Sequence, residues 1–154
     1  MKKDAIIITI LSIALVAVIA VTLIVSGIFN REVDFEYGDG NRYVHVTYNT
    51  REYTTTQMPA NGAFAVIEID VQRMGGYRFY DCVMTFEYTP SGAWGLCQNW
   101  TTQDYITEIE LGYDGRGLAT LVLFAPTDSW TETPEPPTLT DADFTITTSG
   151  KVRK

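Results

Sequence analysis

The sequence predicts an all-β protein, an antiparallel β-sandwich preceded by one N-terminal transmembrane α-helix. Two patterns carry this prediction. The first 29 residues contain a long uncharged apolar run, and the rest of the chain alternates apolar and polar residues over short stretches. Valine, isoleucine, threonine and aromatic residues dominate that remainder, and these residue types favour strands.

The N-terminal apolar run covers residues 5–29 and carries no charged side chain. A helix of this length is about 37 Å long, which exceeds the hydrocarbon core of a bilayer. The run is longer than the apolar region of a cleavable signal peptide, so we expect an uncleaved signal anchor. Lys2 and Lys3 precede the run and acidic residues follow it, which predicts a single-pass membrane protein with a cytoplasmic N-terminus. The predicted parts are a cytoplasmic basic head (1–4), a transmembrane helix (5–29), an extracytoplasmic β-sandwich (30–150) and a basic tail (151–154).

Nine short stretches after the helix have the pattern of β-strands, and turn residues separate most of them. The Gly-Asp-Gly-Asn sequence at 38–41 predicts that the first two strands form a hairpin. The predicted strands are 33–37, 43–48, 53–57, 63–71, 77–88, 94–98, 105–113, 118–124 and 144–148.

Alternation along these strands predicts one buried and one exposed face. Ile67 and Ile69 point to one side of their strand, whereas Glu68 and Asp70 point to the other. Many short strands that each have one apolar face are satisfied by two antiparallel sheets packed face to face. The sequence therefore predicts an immunoglobulin-like sandwich, with a closed barrel as the alternative.

Two stretches are expected at the surface of this sandwich. Residues 125–140 contain four prolines and predict a long loop, because proline donates no hydrogen bond to a sheet. Residues 53–57 are short and threonine-rich, which predicts an edge strand. Such an edge can bind a protein partner by strand addition, and its candidate residues are Tyr53, Thr55 and Gln57.

The chain has two cysteines, Cys82 and Cys97, and both fall in the domain predicted to lie outside the membrane. Disulfides persist in that compartment, so we expect the two to form a structural bridge. Their midpoint lies between Thr89 and Pro90, in the turn sequence at 89–92, so an uninterrupted hairpin would place them opposite each other. A bridge closing this loop stabilises by about 3 kcal/mol.

The exposed domain is acidic. Residues 31–150 contain 18 acidic residues and six arginines, a net charge of −12, and Lys151, Arg153 and Lys154 follow as a short basic tail. Nucleic acid is excluded as an expected partner, because phosphate-backbone binding needs a concentrated basic surface. The basic tail is expected to contact lipid headgroups or the acidic face of a neighbouring copy.

The sequence offers no catalytic set, and we expect a protein that is not an enzyme. His45 is the single histidine, and a nucleophilic site would need a serine or cysteine beside it and a carboxylate behind it. A surface histidine on a strand is the simpler interpretation. We expect no cofactor other than a possible calcium ion.

The sequence contains candidate residues for a calcium site and for a glycosylation site. Asp39, Asp114, Asp141 and Asp143 lie in turn contexts that can supply calcium ligands, although aspartates in turns more often cap the turn itself. Asn99 begins an Asn-Trp-Thr sequon, which predicts N-glycosylation in an organism that glycosylates its exterior proteins.

The stretch 109–126 contains a Gly-Tyr-Asp-Gly-Arg-Gly turn followed by the apolar run Leu-Ala-Thr-Leu-Val-Leu-Phe-Ala-Pro. It resembles the late hairpin of telokin-like, immunoglobulin-fold domains on prokaryotic surface proteins, and 63–88 is similar to earlier strands of that family. The resemblance implies a sandwich fold and no catalytic residues.

A basic head, a long apolar helix and a sandwich together also resemble archaeal type IV pilin-like proteins, whose helices pack as a filament core. Asp4 stands where that family has a small residue at its processing site, and Thr9 stands where it has a glutamate. These differences favour tethering over polymerisation. The sequence therefore predicts a non-enzymatic interaction or structural module of the cell envelope. A filament subunit and a calcium-dependent surface binder or enzyme are the alternatives.

Overall fold

The computed structural model describes residues 2–29, 31–56, 62–98, 105–126 and 134–154. Its first element is α1 (Lys2–Phe29), a helix long and apolar enough over Lys3–Ile24 to cross a membrane, with a mean hydropathy of 3.0. The apolar side chains described on this helix are exposed on every side, and none of that span is buried against the sandwich. The hydroxyls of Thr9, Ser12 and Thr22 donate to carbonyls four residues earlier, so these polar groups are satisfied inside the helix.

The described part of the chain after the helix contains eight strands, and all their pairings are antiparallel. A 3₁₀ turn (Asp141–Asp143) precedes the last strand. The strands are β1 (Val33–Asp34), β2 (Val44–Thr56), β3 (Gly62–Arg73), β4 (Arg78–Tyr88), β5 (Leu96–Gln98), β6 (Ile106–Glu110), β7 (Gly117–Pro126) and β8 (Phe144–Arg153).

The strands form two four-stranded sheets, with the order β1-β8-β4-β6 in one and β2-β3-β7-β5 in the other. The all-β sandwich with one N-terminal helix is therefore confirmed. The sheets have their own strand order: β2 and β3 are hairpin neighbours in one sheet, whereas the second and third strands of an immunoglobulin constant domain lie in different sheets.

Side chains from both sheets form one core between them. Alternate residues of β3 and β4 point into it, as the strand periodicity predicts, and Ile67, Ile69, Met84 and Phe86 are almost fully buried. Phe86 meets Phe144 edge to face, with ring centroids 5.8 Å apart. Each such aromatic pair contributes about 1 kcal/mol beyond the area that it buries.

Three predictions about the strands are wrong: one about pairing, one about a strand boundary and one about where a loop begins. The stretches on either side of 38–41 do not form a hairpin, because β1 pairs with β8 while β2 pairs with β3 in the other sheet. Residues 53–56 are not a separate strand but the end of β2, which continues through an irregularity between Thr50 and Glu52. The loop predicted from residue 125 starts later, because Ala125 and Pro126 complete the central strand β7.

The hairpin that was expected to join Cys82 to Cys97 is also absent from the described residues. β4 pairs with β6 and β8, whereas β5 pairs with β7 in the opposite sheet. Cys82 lies six residues before Tyr88 on β4, which is about 20 Å of strand. Cys97 pairs with Leu123 at the Tyr88 end of the sandwich, where Trp94 contacts both Tyr88 and Tyr53.

That separation exceeds the roughly 7 Å between Cα atoms that a disulfide can bridge. Cys82 is a free, buried thiol in this structure, and the side chain of Cys97 lies outside the described residues. This fold gives no evidence for the predicted disulfide, because the two cysteines were assigned to one hairpin and lie on strands of different sheets.

Candidate functional site

One end of the sandwich collects nearly all of the positive charge of the domain. β2, β4 and β7 begin at this end and β3 and β8 finish there, as the pairs Val44–Arg73, Val71–Gly117 and Arg78–Arg153 show. Ring contacts between Tyr43 and Tyr77 join the two sheets at the same place. We call it the basic end. Eight of the nine lysines and arginines that follow the helix lie here: Arg31, Arg42, Arg73, Arg78, Arg116, Lys151, Arg153 and Lys154.

The basic end is also the end to which the helix is attached. β1 starts at Val33, four residues after the end of α1, and Val33 pairs with Val152 of β8. Four extended residues span at most about 14 Å. Wherever the helix points, the C-terminal end of β8 therefore lies close to where the helix finishes.

The charges at this end are only partly neutralised. Lys151 forms an ion pair with Asp34, and Arg116 lies 3.8 Å from Asp114. The other six cations make no ion pair with any residue in the described part of the chain. The ninth cation, Arg51, lies in the middle of β2 and pairs with Glu68.

Five side chains at the basic end line one groove of about 260 Å³: Arg78, Tyr80, Tyr113, Arg153 and Lys154. Arg78 and Arg153 are directly opposite each other on neighbouring strands, so they share the outer face of their sheet. Like charges placed directly across a pair of strands destabilise the sheet. We call these five residues the cationic groove.

The two tyrosines hold the groove in shape. The Arg78 guanidinium lies 4.9 Å from the centre of the Tyr113 ring, and the Tyr80 hydroxyl lies 3.5 Å from the Tyr113 hydroxyl. The hydrogen bond with Tyr113 is the main cause that raises the pKa of Tyr80 above its ordinary value, while nearby Arg153 lowers it and Glu32 raises it. The Tyr80 hydroxyl donates to the Tyr113 hydroxyl, which leaves the Tyr113 O–H to donate to an anion in the groove.

Local sequence explains why Tyr113 reaches this place. It lies in the turn between β6 and β7, where the Gly115 amide donates to the Gly112 carbonyl over 2.7 Å and Gly115 has a φ of 70°. The Phe79 amide donates to the Tyr113 carbonyl over 3.2 Å, which fixes the turn to β4. A side chain at Gly115 would collide with the Phe79 ring, so this turn needs glycine there.

The same end exposes apolar side chains. Val33, Met74, Tyr113 and Leu118 are 39%, 40%, 52% and 61% exposed. Arginine, lysine and tyrosine beside exposed aliphatic residues are the composition of protein segments that lie at a membrane–water interface.

Next to the groove, a cleft along β4 contains the free thiol. Its lining includes Tyr80, Cys82, Glu110 and Tyr113. The Cys82 thiol donates to the Lys151 carbonyl over 3.2 Å, and burial raises the pKa of the thiol. A protonated, buried thiol is a poor nucleophile, so Cys82 is a packing residue at this position.

Three of the four aspartates predicted as calcium ligands accept hydrogen bonds from other groups of the protein. Asp141 accepts hydrogen bonds from Tyr37 at 2.6 Å and from Tyr48 at 2.8 Å. Asp143 accepts from the Thr140 amide and caps the 3₁₀ turn, and Asp114 accepts from the Arg116 amide. Asp39 lines the same groove as Asp141. Among the described residues, no three His, Cys, Asp or Glu side chains are grouped closely enough to hold a metal ion.

The predicted edge is an edge, but part of it is occupied by the chain itself. Tyr53 lies on β2, the outermost strand of its sheet, and its ring contacts Trp94. Its hydroxyl donates to the Pro134 carbonyl, while Thr55 is exposed. Gln57 and the sequon residue Asn99 lie outside the described residues. His45 is exposed near the start of β2, as expected of a surface strand residue.

Sequence reasoning found Lys151, Arg153 and Lys154 but missed the cationic groove. The other cations are far apart in sequence, and only the fold brings them together. A usable signal was present: Arg42, Arg73, Arg78 and Arg116 each lie within two residues of a strand terminus. Comparison with family models, curated proteins and solved structures gave no match to this chain.

Proposed function

We propose that this protein is a membrane-anchored, extracytoplasmic structural or interaction module of the cell envelope that carries out no catalysis. The observation that carries the proposal is the junction between helix and sandwich. The sandwich begins four residues after a helix that can span a bilayer, and the register of β1 with β8 fixes which end of the domain faces that helix. Such a short connection holds a rigid domain at a fixed height above a membrane.

The proposal assigns the outer part of the sandwich to partner binding. The basic end is turned toward the bilayer, so the surfaces left for a protein partner are the sheet faces, the exposed part of β2 and the opposite end. The telokin-like resemblance supports a module of this kind, since those domains are displayed on prokaryotic surfaces and have no catalytic residues.

Carbonate washing of membranes tests the anchor. The double variant Leu15→Arg with Ile19→Arg places two charges near the middle of α1, each costing about 3 kcal/mol at the centre of a bilayer. We expect the variant to appear in the soluble fraction, and the matched variant Leu15→Ile with Ile19→Leu to stay in the membrane like the natural chain. A natural chain that washes off with carbonate contradicts the proposal.

A pilin-like filament subunit is the second candidate, and one observation favours it. The domain has a positive end and a negatively charged remainder, so copies could associate end to flank through opposite charges. Negative-stain microscopy of the purified full chain separates the candidates. Monodisperse particles in detergent support the tethered module, whereas ordered fibres support the filament.

A further inference from the structure

We propose that the cationic groove binds the phosphate of an anionic lipid headgroup in the membrane that α1 crosses. The proposal rests on the membrane anchoring proposed above and adds a ligand, a site and an orientation. The sandwich would then stand on the bilayer through its basic end instead of swinging freely on the helix.

The groove has the donors that a phosphate group needs. Three cations, Arg78, Arg153 and Lys154, line it, and the Tyr113 hydroxyl, which accepts a hydrogen bond from Tyr80, adds one neutral donor. Arginine binds phosphate oxygens through parallel N–H donors, and lysine binds them as a point charge. A phosphate between Arg78 and Arg153 would offset the repulsion between these cross-strand partners.

None of the carboxylates near the groove is among the residues that line it. Asp34 is engaged by Lys151, which lies opposite Tyr80 on β8. Asp114 is close to Arg116 in the turn that carries Tyr113. Glu32 is near enough to raise the pKa of Tyr80, but it is not among the residues that line the groove. Asp81 and Glu110 line the neighbouring cleft. The five residues that line the groove itself are three cations and two tyrosines, so the lining of the groove is positively charged.

The position of the groove favours a lipid over a dissolved anion. Val33 is within about 14 Å of the end of the helix and pairs with the residue next to Arg153. A helix of 28 residues is about 42 Å long, which matches the thickness of a bilayer with its headgroups. Lysine and arginine side chains near the end of such a helix extend into the headgroup layer.

The exposed apolar side chains at the same end also favour a lipid as the ligand. A site for a soluble phosphate gains nothing from exposed Met74 and Leu118, whereas a surface seated on lipid can place them at the edge of the acyl layer. Of the six exposed large apolar side chains described on the sandwich, four lie at the end that the helix enters, and Tyr105 and Ile106 lie at the opposite end.

Native mass spectrometry of the full chain in nonionic detergent tests the proposal. The protein is titrated with phosphatidylglycerol and, separately, with phosphatidylcholine, and the lipid-bound species are counted. We expect phosphatidylglycerol to bind more tightly. Each basic residue near an anionic surface contributes about fivefold in affinity, so Arg153→Gln should weaken phosphatidylglycerol binding about fivefold, and adding Arg78→Gln should weaken it further.

Arg51→Gln is the matched control, because it also removes one positive charge but lies in the middle of β2. Its affinity should equal that of the natural chain. Equal losses in Arg51→Gln and Arg153→Gln would show a general effect of net charge and would overturn the proposal, as would equal binding of the two lipids. Thermal unfolding of each variant confirms that these surface changes leave the fold intact.

Two further results would reassign the groove and so overturn the lipid proposal. Inorganic phosphate that displaces phosphatidylglycerol at equal concentration would make the groove a site for a soluble anion. Dimers that form in proportion to protein concentration and disappear in Arg153→Gln would make a second copy the ligand. Carbonate extraction tests the anchor separately: a chain that stays in the membrane yet shows no lipid preference refutes this inference alone.

Discussion

At the scale of single residues, the fold depends on a few positions where the backbone leaves the regular strand conformation. β4 and β8 lose register between Tyr80 and Val83, where two residues of β4 lie opposite Gly150. Asp81 there has a φ of 50° and Gly150 has a φ of 102°. The irregularity lies directly after Tyr80, which lines the cationic groove.

Gly150→Ala should therefore destabilise the sandwich. An added Cβ would lie 2.5 Å from the Asp81 carbonyl oxygen and 2.6 Å from the Cys82 Cα, and both neighbours are backbone atoms. We expect a loss of about 3 kcal/mol, measured by urea unfolding. Gly76→Ala is the control, since its Cβ would meet no atom within 4 Å. Equal midpoints for the two variants would show that the irregularity relaxes without cost.

The environment of two tyrosines predicts that the stability of the fold decreases at alkaline pH. Burial, together with a hydrogen bond to Asp141, raises the pKa of Tyr37 and of Tyr48 above the ordinary value of 10. Above about pH 10 the unfolded chain loses protons that these two residues keep in the folded state, so stability falls as the pH rises. Below that pH, both states are protonated and the contribution is constant.

The variant Tyr37→Phe with Tyr48→Phe should therefore start less stable at about pH 8, because each lost hydrogen bond costs about 1 kcal/mol. Its deficit in melting temperature should then shrink toward about pH 11, since the variant no longer carries the two groups that titrate. Tyr105→Phe, at an exposed residue, is the control for the loss of a phenol hydroxyl. A deficit that widens with pH would contradict the assignment.

At the scale of strands and segments, the sequence predicted where strands lie better than how they pair. Alternation marks each strand locally, and Ile67 and Ile69 are buried on one face as predicted. Which strands pair depends on which arrangement buries the most apolar surface, and this is decided by the whole chain. The Gly-Asp-Gly-Asn turn predicted a hairpin, yet Phe35 instead bonds to Gly150 of β8 and packs against Phe79.

The same reasoning explains what could be known of the candidate site. The basic tail was visible as three cations within four residues. Arg78 and Arg153 are 75 positions apart in sequence, and their proximity exists only through the β4–β8 register. Tyr113 joins them through a turn that the sequence marked clearly, but nothing in that turn indicates which strand it will contact.

The segment 134–140 illustrates an element that the sequence described as a plain surface loop. It lies along β2, and the hydroxyl of Thr50 on that strand donates to the Pro137 carbonyl over 2.9 Å. The indole N–H of Trp94, which precedes β5, donates to the Glu135 carbonyl over 3.2 Å. Pro137 is buried, and Leu139 packs against the core. Its backbone carbonyls take hydrogen bonds from side chains of the sheet, in place of a partner strand.

Thr50→Val should loosen this segment. The change keeps the shape of the side chain and its preference for strands but leaves the Pro137 carbonyl without its donor, at a cost of about 1 kcal/mol. Thr54→Val is the matched control on the same exposed strand. We expect a lower urea midpoint and faster protease cleavage within 134–140 for Thr50→Val. Indistinguishable cleavage of the two variants would mean that the segment is held by Leu139 and Pro137 instead.

At the scale of the whole molecule, the domain is electrically asymmetric. Its net charge is negative, yet the end that follows the helix carries eight of its nine cations. Most of these cations gather only when the domain folds. A translocation machinery meets the unfolded chain first, so the charges that set the direction of insertion are those near the helix in sequence. They are Lys2 and Lys3 before the helix and Arg31 and Arg42 after it.

This order of events makes orientation sensitive to the N-terminal lysines. We expect the sandwich outside, so a C-terminal epitope should be digested by protease added to intact cells. In the variant Lys2→Glu with Lys3→Glu, the cations that follow the helix act unopposed, and a fraction of the chains should insert with the sandwich in the cytoplasm, protected from protease. Arg153→Glu with Lys154→Glu changes the charge equally, but those residues lie too far along the chain to act on insertion, so this control should remain fully accessible. If the C-terminal changes invert the protein as often as the N-terminal ones, the folded basic end helps to determine topology, and insertion must wait for folding.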